Sequence, residues 1–196
     1  MCGSMRAMRP AIMKLPVIKP SLFFGLLLSM LTLVATAWGL EPGKDGYYNT
    51  GSGVRTKSVA FLNVKVYSIR HDIKQLPAEK SKRAMIDMDA DKKFTWRMMR
   101  DVDADKIQDA LKDAYKMNGY GDVGKIGTFL GALTKELKEG TFVTISYNAT
   151  SKSTSISVSG GGSATVAGAD FMKATWSIWF GKIDQPSLGD AMISNM

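Results

Sequence analysis

One arginine leads the few side chains whose type and spacing suit chemistry. Arg55 follows Gly51-Ser52-Gly53 and heads a long β-branched and aromatic run. A guanidinium is a planar fork of donors that meets a carboxylate or phenolate through two bonds at once. Such a charge serves a ligand only at the polar end of a concave, mostly apolar pocket. The same residue type at the head of a strand is also an ordinary edge charge, and the residues alone leave both readings open.

The other candidates are weaker. His71 is the only histidine, set between Arg70 and Asp72 with no serine–acid arrangement near it in sequence. That setting puts it in solvent at a strand end rather than in a general-base role. Two acidic triplets, Asp87-x-Asp89-x-Asp91 and Asp101-x-Asp103-x-Asp105, resemble calcium loops. The required turn glycine is Lys92 or Lys106, and the closing acid is Met98 or Lys112. The only cysteine is Cys2, so thiolate sites and disulfides are excluded from the rest of the chain. Gly160-Gly161-Gly162-Ser163 lacks the spacing of a phosphate loop. No metal or cofactor is expected.

The charge balance points away from nucleic acid. Of 26 basic residues, Arg6, Arg9, Lys14 and Lys19 lie in the first 37 positions, which hold no acid. The remainder carries a scattered surplus of four positive charges, too small for a nucleic-acid surface. That first stretch has a basic start, an uncharged run over 21–39 and a small-residue exit at Ala35-Thr36-Ala37. It matches a secretory signal peptide at 1–37, with cleavage expected near Ala37 and export to a periplasmic or extracellular space; the alternative is an uncleaved signal anchor, because 19 uncharged residues approach spanning length. Membrane contact is expected only through that segment. Residues 38–196 then form one domain, long enough to bury a core without staples.

The elements that must position Arg55 follow from hydrophobic period. A loop over 43–53 leads into strand pattern over 54–69 with a break near 60–63. A helical turn is expected near 76–79 and a strand over 94–102. Asp103 caps a helix over 104–117 whose stripe is Ile107, Ala110, Leu111 and Ala114. A second helix is expected over 122–137, then a strand over 141–147, a hairpin partner over 155–159 and a short strand over 164–166. Two helices close the chain, one after Asp170 and one over 186–196. Strands and helices do not alternate, so the fold class is α+β, a large antiparallel sheet with helices packed on one face.

Several segments together resemble a known family. Gly51-Ser52-Gly53-Val54-Arg55 resembles the glycine-alanine-glycine-x-arginine run of chalcone isomerases. The run Phe61-Leu62-Asn63-Val64-Lys65-Val66-Tyr67 is similar to their next strand. The strand at 94–102 is similar to one that ends Arg-Asp-hydrophobic in the family. Asn118-Gly119-Tyr120-Gly121-Asp122 is similar to the segment between the central helices, and Asp170-Phe171 with Ile178-Trp179-Phe180-Gly181 to the closing helix. The likeness runs from Tyr47 to the C-terminus and points to exported bacterial chalcone isomerase-like proteins.

The resemblance implies an open-faced β-sandwich and, for the enzymes, an arginine that orients a phenolate attacking an enone. It puts that arginine at Arg55 and the accompanying tyrosine at Tyr120. It also aligns Lys65 and Ile178 with two catalytic threonines, and neither supplies the hydroxyl that stabilises a developing enolate. Family members that keep the arginine and tyrosine without isomerising bind fatty acids. The implied ligand-contacting set is Arg55, Tyr120, Lys65, Tyr67 and Ile178, and the implied partner is a small amphipathic acid or lipid. An intramolecular lyase and an envelope interaction module without ligand are the alternatives; the module would pair Arg55 with an internal acid such as Asp101 or Asp170.

Overall fold

The computed structural model describes residues 39–59 and 61–196, so the leader at 1–37 lies outside the described residues. Six strands form one antiparallel sheet in chain order: β1 (Tyr48–Val59), β2 (Leu62–Ile73), β3 (Lys92–Met98), β4 (Phe142–Asn148), β5 (Ser153–Val158) and β6 (Ser163–Ala167). Five helices accompany them: α1 (Lys82–Asp87), α2 (Ala104–Met117), α3 (Val123–Leu130), α4 (Ala169–Phe180) and α5 (Pro186–Ala191).

Alternation sets which face of the sheet is covered. Successive strand side chains point to opposite faces. On β3, Lys92, Phe94, Trp96 and Met98 are buried while Arg97 is exposed. On β4 the buried set is Val143, Ile145 and Tyr147, and on β5 it is Thr154, Ile156 and Val158. The opposite face is hydroxyl-rich and open, as in the α+β expectation.

The helices cover the apolar face. α4 buries eight of its 12 residues and packs against α1, α2, α5 and β5. α2 buries the i, i+4, i+8 stripe Ile107, Leu111 and Tyr115, and its ends match the sequence reading. α3 stops at Leu130, short of the expected 137, and Leu137 instead forms a lone bridge with Val102. α1 replaces the expected turn at 76–79: the Ser81 hydroxyl accepts from the Ala84 N–H and caps its start.

The Gly51-Ser52-Gly53 run is strand, not loop. β1 begins at Tyr48, and its glycines are where α5 closes onto the sheet. A Cβ on Gly51 would lie 2.3 Å from the Ala191 carbonyl oxygen, and one on Gly53 would lie 2.7 Å from Leu188 Cδ1. Gly51 also sits at φ 152°, a conformation other residues seldom adopt. Gly51→Ala is therefore expected to cost about 1–3 kcal/mol by overpacking against α5 backbone. Urea midpoints check this, with Gly127→Ala as the contrast. There an added methyl meets nothing within 4 Å and should leave stability equal or higher.

Candidate functional site

Arg55 sits beside a bulge in the β1–β2 pair and reaches the connection between α4 and α5. Pairing runs Arg55↔Tyr67 and then slips to Thr56↔Lys65. The Arg55 guanidinium meets Asp184 with its full fork: Nη1 is 2.7 Å from Oδ1, and Nη2 donates to Oδ2 at 3.0 Å. Gln185 fills the backbone on either side. Its Oε1 accepts from the Thr56 N–H at 2.9 Å, and its Nε2 donates to the Val54 carbonyl at 3.0 Å. The Arg55 side chain is 19% exposed and that of Asp184 is 62% exposed. The guanidinium holds the Asp184 carboxyl below its ordinary value.

The apolar wall beside this pair is aromatic. Tyr67, across the strand pair from Arg55, is buried and accepts a hydrogen bond from Trp179 Nε1 at 3.1 Å. Its ring stacks on Trp96 with centroids 4.8 Å apart. Burial raises the Tyr67 hydroxyl above its ordinary value, partly offset by the Trp179 bond and the Arg55 charge. Trp96 Nε1 is buried and has no hydrogen-bond partner among the described residues. Ile178 is buried on α4, and Lys65 is exposed on β2.

Tyr120 stands elsewhere. It follows α2, and its hydroxyl donates to Asp170 Oδ2 at 3.0 Å at the start of α4, where Lys125 also pairs with Asp170 at 2.8 Å. α4 is 12 residues long, roughly 18 Å, and Asp184 lies beyond its far end. The tyrosine that the fold brings to Arg55 is Tyr67, and Tyr120 lines a separate surface hollow of about 190 Å³ with Arg83, Asn118 and Lys173. A second hollow, about 410 Å³, opens on the uncovered sheet face beside Ser68, Arg70 and Arg97. Neither hollow is lined by Arg55 or Tyr67.

Two buried polar groups escaped the sequence reading. His71 is not in solvent: it is fully buried on the helix-facing side of β2. Thr50 Oγ1 donates to the Met192 carbonyl at 2.8 Å and so accepts from His71 Nδ1 at 2.7 Å. Nε2 then accepts from Trp176 Nε1 at 3.0 Å. Every polar atom of the ring is used, which makes the histidine a clasp between β1, β2, α4 and the C-terminal turn. Lys92 is likewise buried and donates to the carbonyls of Met85, Ile86 and Met88, the free end of α1. Its ammonium lies 4.9 Å from the Trp176 ring centroid, and burial pulls its pKa down to about 7.

The acidic triplet at 87–91 does not converge. Asp87 pairs with Lys173, Asp89 accepts from the Tyr147 hydroxyl, and Asp91 accepts from the Ala149 N–H. Among the described residues no group of three or more His, Cys, Asp or Glu could hold a metal ion.

The His71 clasp predicts an acid-side loss of stability. Burial, with the Lys92 charge, holds His71 well below its ordinary 6.5. The folded chain therefore refuses a proton that the unfolded chain accepts. The contribution is fully present above about 6.5 and is lost as pH falls below it, by at most about 1.4 kcal/mol per pH unit. Below about pH 6, where Lys92 with its pKa near 7 is charged in both states, His71 is the only histidine left to titrate above the carboxylate range, and the slope of urea stability there should vanish in His71→Gln. A slope that persists in that variant would assign it to other groups.

The chalcone isomerase-like family profile matches residues 43–193. Among solved structures, the crystal structure of a fatty-acid binding protein from Arabidopsis thaliana superposes with a TM-score of 0.62 at 14% identity, covering 79% of this chain and 90% of that one. At that identity the likeness speaks for the fold alone. No curated protein matches the sequence. With more than half of its length matched by the family, and a six-stranded antiparallel sheet covered by helices on one face, the chain belongs to the chalcone isomerase-like family.

Proposed function

We propose that the protein is an exported, non-catalytic member of this family that binds a fatty acid or a similar amphipathic carboxylate through Arg55. The Arg55–Asp184 contact is the internal acid pairing that a module without ligand also expects, so it is the geometry of that contact that carries the ligand reading. A largely buried fork already grips a carboxylate in two-bond geometry, and that carboxylate is mostly exposed and sits on a connection between helices. A ligand carboxylate of the same shape replaces Asp184 and leaves the guanidinium charge paired. The alkyl chain takes the apolar side of Arg55, beside Tyr67, Trp96, Trp179 and Ile178. Those side chains are packed in the closed form, so admission requires segment 182–185 to move.

The absence of catalysis rests on the residues at the positions the enzymes give to hydroxyls. Ile178 carries no donor, and Lys65, aligned with the other hydroxyl, is an exposed amine on β2 rather than a fixed hydroxyl. Export rests on the signal-like segment at 1–37.

Native mass spectrometry of the purified protein, before and after delipidation, should release a carboxylic acid that rebinds. Displacement of a fluorescent fatty acid then gives the affinity. Loss of a charge-assisted, two-bond contact predicts binding about 10- to 100-fold weaker in Arg55→Ala. Retention of the ligand at parental affinity in that variant would end the assignment.

A further inference from the structure

The β1–β2 hairpin extends past the sheet. β2 pairs with β3 only from Tyr67 onward, whereas its pairing with β1 continues out to Val59↔Leu62. The outer part of the two strands is therefore a ribbon without a third strand. At its end Phe61 is 106% exposed and Leu62 is 70% exposed. Phe61 also adopts φ 70°, where glycine or asparagine would turn the chain without strain. A bulky apolar residue is thus presented to solvent at a conformational cost, and exposed apolar surface of this kind marks an interaction site.

The charges around the tip indicate the partner. No acid occurs between Val54 and Arg70, and Lys57 and Lys65 are exposed on the two strands. Neither lysine makes an ion pair among the described residues. They stand level with each other, because Thr56 pairs with Lys65 and Lys57 pairs with Val64. Along the ribbon Lys65 stands three residues back from Leu62, and Lys57, level with Val64, stands two back, roughly 7–10 Å at strand rise. That set-back matches an apolar tip sunk about 5–10 Å into the headgroup–acyl boundary with cations left among the phosphates.

We propose that this ribbon is a membrane-docking finger: Phe61 and Leu62 enter the interface of an anionic bilayer while Lys57 and Lys65 pair with lipid headgroups. It adds a second membrane contact to the one expected of the leader. It does not depend on Arg55 binding a carboxylate, so an Arg55→Ala chain docks as the parent does even if it has lost its acid.

A reporter at the tip tests this in the full-length chain, where the leader is common to every variant. Cys2→Ser with Leu62→Cys leaves one thiol for an environment-sensitive nitrobenzoxadiazole dye. Vesicles of phosphatidylglycerol mixed with phosphatidylcholine should shift the dye emission to the blue and let spin-labelled lipid quench it. Phe61→Ser should weaken that response. Lys57→Gln and Lys65→Gln should each raise the lipid needed by about fivefold. A dye that stays water-like on these vesicles overturns the proposal. So does an equal response on pure phosphatidylcholine, or a blue shift that appears without vesicles and grows with protein concentration, which would assign the tip to a second copy of the chain.

Discussion

A Phe94→Ala chain is expected to lose about 3–5 kcal/mol of stability, the upper end of what a single core truncation costs. Phe94 is fully buried at the middle of β3, and its ring lies 4.7 Å from Trp179, 5.0 Å from Trp176, 4.9 Å from His71 and 5.6 Å from Phe180. The size of the loss depends on how far neighbours can collapse into the space left behind. Here they are tied. Trp176 Nε1 is bonded to His71, and Trp179 Nε1 is bonded to the Tyr67 hydroxyl. Either indole moving inward would leave a buried donor without its acceptor, which itself costs about 1–3 kcal/mol. The cavity should therefore persist and the melting temperature fall by roughly 10 °C. Calorimetry against Phe142→Ala makes the comparison fair, since Phe142 is a phenylalanine on the next strand at 48% exposure. That change should stay within about 0.5 kcal/mol. Equal losses in the two variants would contradict this account of the core.

The same aromatic layer shows why the architecture was legible and some of its contents were not. Period finds both ends of α2, although Ala110 of the expected stripe is exposed, Tyr115 takes its place in the core, and Asp103 pairs with Lys106 instead of capping the helix with its side chain. The alternation on β3 finds Phe94, Trp96 and Met98, and continuing it by one step would have placed Lys92 inside as well. The same step along Tyr67, Ile69 and Ile73 would have placed His71 inside. The sequence reading sets His71 in solvent from its charged neighbours Arg70 and Asp72, and starts the strand at Phe94, so Lys92 is given no face. Each is tolerated in the core because every polar atom finds a partner: three carbonyls for Lys92, a hydroxyl and an indole for His71. Those partners come from α1, β1 and α4, and no local pattern reveals them.

Glycine misled for a related reason. Gly51-Ser52-Gly53 suggests flexibility, whereas both glycines are small because α5 backbone and Leu188 lie against them. The contact joins residues about 140 positions apart, as does the Thr50–Met192 hydrogen bond. The candidate site has the same character. Arg55 stands out in the sequence as a candidate, but its surroundings leave it equally an edge charge, and only the family resemblance favours a ligand role. Its counter-ion, Asp184, lies 129 positions away and is neither of the acids expected from sequence: Asp101 pairs with Lys138 and Asp170 with Lys125. The choice between Tyr67 and Tyr120 turned on the length of α4, which separates two tyrosines that a motif comparison cannot rank by distance.

Exchanging the charges of the Arg55–Asp184 pair should separate what the pair does for the fold from what Arg55 does for a ligand. In Arg55→Asp two carboxylates face each other, so the connection at 182–185 loosens and carboxylate binding falls by 100-fold or more, about 3 kcal/mol. In Arg55→Asp combined with Asp184→Arg, the ion pair re-forms with reversed polarity. Its contribution to stability is small, about 1 kcal/mol or less for so exposed a partner, and should largely return. Binding should not return, because the guanidinium now sits on the α4–α5 connection and an acid occupies the position beside Tyr67. Thermal melts and displacement of a fluorescent fatty acid measure the two quantities on the same samples. Recovery of both in the double variant would mean that any guanidinium near Tyr67 suffices, and Arg55 would lose its special place. Recovery of neither would mean that Gln185, which spans Val54 and Thr56, cannot keep its seat without the native pair. Recovery of stability alone is the outcome that marks Arg55 as an anion anchor whose ligand-free form is closed by the protein's own carboxylate.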